Sequence, residues 1–175
     1  MRFIKEFMYD YKRYGGEGSI ILHHFRFLIW LRISQVYSNP IIRAICKIRM
    51  KLFSENYGLE ISPNTRIGRG LYLGHPFNIT INPGTIIGEN VNIHKGVTIG
   101  AENRGKRKGT PVIGDKVWIG VNSSIVGSIT IGNNVMIAPN TFVNMDIPSN
   151  SIVFGNPCIV KDCIDATNGY INNVV

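Results

Sequence analysis

Thirteen aliphatic residues keep a six-residue beat through most of this chain: Ile61, Ile67 and Leu73; Ile81, Ile87, Ile93 and Ile99; then Ile113, Ile119, Ile125, Ile131, Ile137 and Val143. A helix face repeats about every 3.6 residues and a strand face every 2, so neither has that period. A short strand followed by a turn, repeated, does have it, and the sequence therefore predicts a solenoid of hexapeptide units wound as a parallel β-helix. A small residue often follows the aliphatic, as in Ile67-Gly68, Ile87-Gly88, Ile113-Gly114 and Ile131-Gly132. Corners such as Glu89-Asn90, Asp115-Lys116 and Asn133-Asn134 supply residues that tolerate turn dihedrals.

In such a coil each marker aliphatic points into a narrow axial core and stacks on its counterpart one coil away, at about 4.8 Å. The fourth residue after a marker also faces inward. It is apolar or small here: Leu71, Val91, Val97, Val117, Ser123, Val135 and Thr141.

Two interruptions break the beat. From Leu73 to Ile81 the step is eight residues, so two extra residues bulge out within Gly74-His75-Pro76-Phe77-Asn78. From Ile99 to Ile113 the step is fourteen, read as a loop protruding near 101–112 whose segment Arg104 to Lys108 carries four cations. Corners accept insertions because the core does not pass through them, and such excursions tend to carry function.

Net charge is +8 and uneven: residues 1–57 hold ten Lys/Arg against four Asp/Glu, and 58–175 hold nine against seven. Three divisions are expected: an N-terminal helical region 1–57, the β-helix 58–154 and a C-terminal tail 155–175. Cys46, Cys158 and Cys163 form no CxxC pair and are odd in number. That pattern suits reduced thiols in a cytoplasm and implies no metal or redox site.

The first 57 residues read as a separate helical layer. Ser19 is a candidate cap for a helix from Ile20 to about Tyr37, and Asn39-Pro40 starts another through Phe53. The apolar run Ile20 to Ile33 contains His23, His24, Arg26 and Arg32, too short and polar for a membrane span and without a signal cleavage site. The second helix sets Ile41, Ile45, Ile48 and Leu52 on one side and Arg43, Lys47 and Lys51 on another. The simpler reading is a packing helix with a solvated face. The sharper one is peripheral association with an anionic membrane through residues 1–57, at the inner face of the membrane. No aromatic residues interleave the cations as nucleic-acid binding would need.

Together, Ile67-Gly68-Arg69-Gly70-Leu71-Tyr72-Leu73-Gly74-His75, Val97-Thr98-Ile99-Gly100, Pro111-Val112-Ile113-Gly114-Asp115 and Phe154-Gly155-Asn156-Pro157 resemble the hexapeptide-repeat acyltransferases, and within them the serine acetyltransferase-like branch. The resemblance runs from about Tyr57 to Lys161. It implies a left-handed parallel β-helix of about five coils, a homotrimer, acetyl-CoA bound between neighbouring subunits, and acetyl transfer to a hydroxyl without a metal. By position His75 matches the family's catalytic histidine. A base that takes the hydroxyl proton as oxygen attacks the thioester suits an imidazole. Glu60, fifteen residues earlier, stands where the family carries an aspartate that orients the base; on a coil of about eighteen residues the two fall near one corner. The resemblance places the pantetheine arm along the backbone of Ala101, Gly120, Val121, Ala138 and Pro139, with the nucleotide end near Lys161. His94 and Thr110 are expected at the acceptor, and the cationic loop offers contacts to cofactor phosphates or an anionic acceptor.

Two departures bear on the acceptor. The serine enzymes carry an acidic residue before the catalytic histidine, where this chain has Gly74, and an Arg-His pair where it has Gly109-Thr110. A zwitterionic amino acid calls for charged partners. The reading favoured by these departures is an acetyl-CoA-dependent O-acetyltransferase acting on a sugar or glycan of surface polysaccharide, with L-serine as the alternative acceptor and a non-catalytic scaffold as the competitor of a different class.

Overall fold

The six-residue beat becomes one marker per strand. The computed structural model describes residues 2–15 and 22–175. Three helices, α1 (Arg2–Arg13), α2 (His23–Val36) and α3 (Pro40–Tyr57), precede the strands. One face of the solenoid stacks β1 (Leu59–Ile61), β4 (Ile79–Ile81), β7 (Thr98–Gly100), β10 (Ser124–Val126) and β13 (Phe142–Val143). The second face stacks β2 (Arg66–Ile67), β5 (Ile86–Ile87), β8 (Val112–Ile113) and β11 (Thr130–Ile131). The third stacks β3 (Tyr72–Gly74), β6 (Asn92–His94), β9 (Val117–Ile119), β12 (Val135–Ile137), β14 (Ser151–Phe154) and β15 (Ile159–Asp162). Every pairing is parallel except β14 with β15. The result is a β-solenoid of about five turns with three N-terminal helices.

All thirteen marker aliphatics are buried, as are Leu71, Val91, Val97, Val117, Ser123, Val135 and Thr141. The fourteen-residue step is one repeat plus an excursion, because Ile99 pairs with Ile125 and Ile87 with Ile113, twenty-six residues apart instead of eighteen. Glu102 and Gly109 close the excursion by exchanging two backbone hydrogen bonds.

The glycine after each second-face marker follows from close approach between coils. A Cβ on Gly88 would sit 2.7 Å from the Gly114 backbone and 2.3 Å from Asp115 Oδ1, and Gly68, Gly114 and Gly132 face their neighbours equally closely. Gly88→Ala is therefore expected to lower stability by about 1–3 kcal/mol, read from urea denaturation; an unchanged midpoint would show that the coils can part at this corner.

The helices do not form a separate layer. Phe27, Leu28, Leu31, Met50 and Phe53 belong to one continuous core with the coil aliphatics. The first coil has no coil beneath it, and its exposed backbone groups are met by helix side chains. Arg32 donates to the carbonyls of Ile67 and Gly68, Gln35 to Thr65, and Arg13 to Gly70. Leu71 N–H donates to Asp10, and Tyr14 both accepts from Leu73 N–H and donates to its carbonyl. Asp10 and Arg32 are themselves a buried bidentate pair at 2.7 and 2.8 Å.

One helix expectation falls outside the described residues and another is corrected. The Ser19 cap lies outside the described residues; α2 begins at His23, after Leu22 with no side-chain cap. Asn39 does cap α3, but that helix runs on to Tyr57 and stops at Gly58 in the left-handed region (φ 64°). It also buries Cys46, Met50 and Phe53, leaving Ile41, Ile45, Ile48 and Leu52 exposed, so the stripe read as a packing face is not one.

The C-terminal segment returns along the third face. After the β15 hairpin, Asn134 binds the carbonyl of Ile164, Asn92 that of Tyr170, and Asn90 exchanges two bonds with Val175.

His24 introduces a pH dependence. Burial, with a smaller effect of the neighbouring His23 charge, pushes its pKa down to about 4 from 6.5. The folded state holds it neutral while the unfolded chain takes up a proton below pH 6.5, so stability should fall as pH drops from about 6.5 towards 4. Thermal melts of the wild type and His24→Gln across this window check the point; parallel curves would show that His24 does not contribute.

Candidate active site

One edge of the solenoid joins the third face to the first, and its corners hang from one another. Asn78 N–H donates to the Tyr57 carbonyl, Gly96 to Phe77, Asn122 to Lys95 and Asn140 to Val121. Asn78, Gly96, Asn122 and Asn140 all take the left-handed conformation (φ 55–72°) this corner demands. His75 has the same positive φ, 49°, yet stands outside that ladder, in the two-residue bulge. Few non-glycine residues adopt such backbone, and when they do the site is often functional.

The bulge is braced from the helices. His23 stacks on Tyr57 with centroids 4.2 Å apart and lies 5.1 Å from Phe77, and its Nε2 is 3.4 Å from the Pro76 carbonyl. The exposed His75 ring is thus carried on a backbone fixed from behind. Composition alone gave no sign that His23, Tyr57 and Phe77 do this, since only the fold brings them together.

The same edge collects four of the residues expected along the cofactor. Gly120 and Val121 follow β9, Ala138 and Pro139 follow β12, and the two pairs continue the register of Ile119 with Ile137. Gly120 has no room for a side chain, its Cβ position being 2.6 Å from Pro139 N. The Ala138 carbonyl accepts from the Ser123 and Thr141 hydroxyls, which stiffens the corner. Ala101 instead sits on the next edge, after β7 at the base of the loop. Thr110 stands at the other base of that loop, its hydroxyl donating to the Gly84 carbonyl at 2.9 Å. Lys161 is exposed on β15, opposite Ile152.

Glu60 points outward from β1, and its carboxylate accepts from the Thr80 hydroxyl at 3.4 Å. Among the described residues no hydrogen bond or ion pair joins it to His75. The coil here is twenty residues long (Glu60 pairs with Thr80), so fifteen residues leave His75 five positions short of the stacked site, against three on an eighteen-residue coil. Glu60 lines a groove on the first face with Lys47, Lys51, Thr80 and Asn82. Sequence reasoning missed the two lysines because α3 reaches this groove only in three dimensions.

His94 pairs in register with Gly74. A Cβ on Gly74 would stand 2.3 Å from His94 Nδ1, so the missing side chain at 74 is what admits the ring. The ring lies 4.8 Å from Trp118, and among the described residues its buried Nε2 has no hydrogen-bond partner. Burial first, and the charge of His75 second, hold its pKa below the usual histidine range. Among the described residues no three His, Cys, Asp or Glu side chains gather as a metal site.

Residues 110–144 match the family model "Bacterial transferase hexapeptide (six repeats)", which coincides with coils of the solenoid described above. Over these coils the chain is similar to the hexapeptide-repeat transferases. Among relatives of this hexapeptide-repeat chain, the serine acetyltransferase of Helicobacter pylori (strain ATCC 700392 / 26695) is 37% identical over 107 residues, 60% of this chain and 63% of that protein. That of Staphylococcus epidermidis is 41% identical over 100 residues, 57% of this chain and 47% of that protein. The chain therefore spans less than two thirds of either relative. The solved serine acetyltransferase of Neisseria gonorrhoeae superposes with a TM-score of 0.79 at 28% identity, over 93% of this chain and 66% of the other; its complex with serine gives 0.75 at 29%, over 91% and 69%.

These matches correct the sugar expectation, since the relatives and solved neighbours named above are all serine acetyltransferases and nothing supports a polysaccharide role. The geometry shows where the sequence argument failed. Gly74 was read as a lost acceptor contact, but its space holds the His94 ring and is not an open groove.

Proposed function

We propose that this hexapeptide-repeat transferase is an acetyl-CoA-dependent serine O-acetyltransferase of cysteine biosynthesis, acting as a homotrimer. The observation that carries the reading is His75 on the braced bulge, on the same edge as the Gly120–Val121 and Ala138–Pro139 corners, in a chain whose relatives are serine acetyltransferases. His75 takes the serine hydroxyl proton as that oxygen bonds to the acetyl carbon; the carbon–sulfur bond then breaks, and the proton passes from the imidazolium to the departing CoA sulfur. No covalent enzyme intermediate is needed. The corner backbones seat the pantetheine arm, and Ala101 and Lys161 extend that path.

Glu60 supports the proton transfer only through space, as a carboxylate on the adjoining first face with no direct bond to the imidazole. Neutral His94 and Thr110 border the acceptor, and the groove of Glu60, Lys47 and Lys51 offers both signs of charge, which a zwitterionic acceptor needs. The test is CoA release from acetyl-CoA by the purified protein with L-serine, D-serine, L-threonine and a set of nucleotide sugars. L-serine should be the acceptor turned over fastest. Turnover confined to another acceptor, or none with any, would overturn the reading.

A further inference from the structure

We propose that α3 is a membrane-docking helix that seats this protein on a bilayer rich in anionic phospholipid. The inference does not rest on the activity proposed above, although Lys47 and Lys51 also line the groove offered there to the acceptor. Ile41, Ile45, Ile48 and Leu52 recur at helical spacing and form a stripe with 70, 46, 65 and 44% exposure, while the helix packs through Cys46, Met50 and Phe53 on its opposite side. A globular protein normally turns such a stripe to its core. This one faces outward along the whole helix.

Charge decides what covers it. By helical spacing Arg49 lies on one flank of the stripe and Lys47 and Lys51 on the other. The only acid on α3 is Glu55, and it is already engaged by Lys51 at 3.7 Å. A second copy laid stripe to stripe would bring two such cationic borders together with little to neutralise them. An anionic lipid surface complements them, with the isoleucines sunk among the upper acyl carbons and the cations at the phosphates, as basic amphipathic helices sit. Arg26 adds a fourth cation beside the stripe, in the groove that Trp30, Arg49, Leu52 and Phe53 form between α2 and α3. No described helix is long and apolar enough to cross the membrane, so the contact is peripheral.

The experiment is co-sedimentation of the full chain with phosphatidylcholine vesicles, with and without about 30% of the anionic lipid phosphatidylglycerol. The protein should pellet with the anionic vesicles and stay in solution with the neutral ones. Raising the salt should weaken the binding. Ile45→Asp/Ile48→Asp should lower partitioning at least about tenfold, and Arg49→Gln/Lys51→Gln by about fivefold per cation removed, with melting temperatures close to wild type because the isoleucines lie outside the core and the two cations make only surface contacts, to Trp30 and Glu55. No pelleting, equal pelleting with both vesicles, or a double aspartate variant that binds like the wild type would each overturn the proposal. So would an assembly mass, measured without lipid, that falls in the aspartate variant, since the stripe would then belong to a second copy.

Discussion

His75→Ala should lower kcat for acetyl transfer to L-serine by about 10²–10⁴, roughly 3–5 kcal/mol of barrier, while acetyl-CoA binding and the melting temperature stay near wild type. The reason for so selective an effect is where His75 stands. Its ring is exposed and forms none of the ring contacts or hydrogen bonds that brace the bulge, which run through His23, Tyr57, Phe77 and Pro76. Removing the imidazole therefore takes away the base and leaves the scaffold. Steady-state kinetics beside acetyl-CoA titration by calorimetry give the comparison. A loss of less than tenfold would remove His75 from the chemistry, and a collapse of the melting temperature would reassign it to structure.

Asp10→Ala is expected to cost about 3–5 kcal/mol of stability, because it strands the Arg32 guanidinium at 2% exposure. In a chain of this size that corresponds to a melting temperature lower by roughly 6–20 °C. The carboxylate also accepts the Leu71 N–H, so the same change orphans a backbone donor of the first coil. Asp10→Leu combined with Arg32→Met should recover part of the loss, since Arg32 is no longer buried without its partner, while Arg13 remains a buried cation. It should not recover all of it, because the carbonyls of Ile67 and Gly68 would then lack donors. A single variant within 1 kcal/mol of wild type, about the worth of an exposed pair, would show the pair to be dispensable.

The coil was legible in the sequence because its core is periodic: one aliphatic per strand at a fixed step leaves few architectures open, and the bulge at His75 announced itself as a break in that step. The helices were less legible. The run from Ile41 to Leu52 has the spacing of a buried stripe, and nothing local reveals that Cys46, Met50 and Phe53 do the packing instead. Asp10, Arg13, Arg32 and Gln35 look like solvated charges and amides until the fold sets them under the first coil. At the site, His75 could be read from its position in the repeat. The lysines beside Glu60, the bracing by His23 and the exchange of space between Gly74 and His94 depend on elements far apart in the chain.

Side chains beneath the first coil and a reversed strand above the last also settle the molecule's length. A ladder of parallel strands has no natural end, and each free edge is a template on which another copy can grow. Here a newcomer arriving at the lower edge would have to expel an ion pair, a tyrosine hydroxyl and a second arginine to reach the backbone. At the upper end β15 runs against the direction of the stack, so a parallel strand meets the wrong pattern of donors and acceptors. Head-to-tail polymerisation is blocked at both ends by different means, and a fold that might have been a fibre stops at five turns.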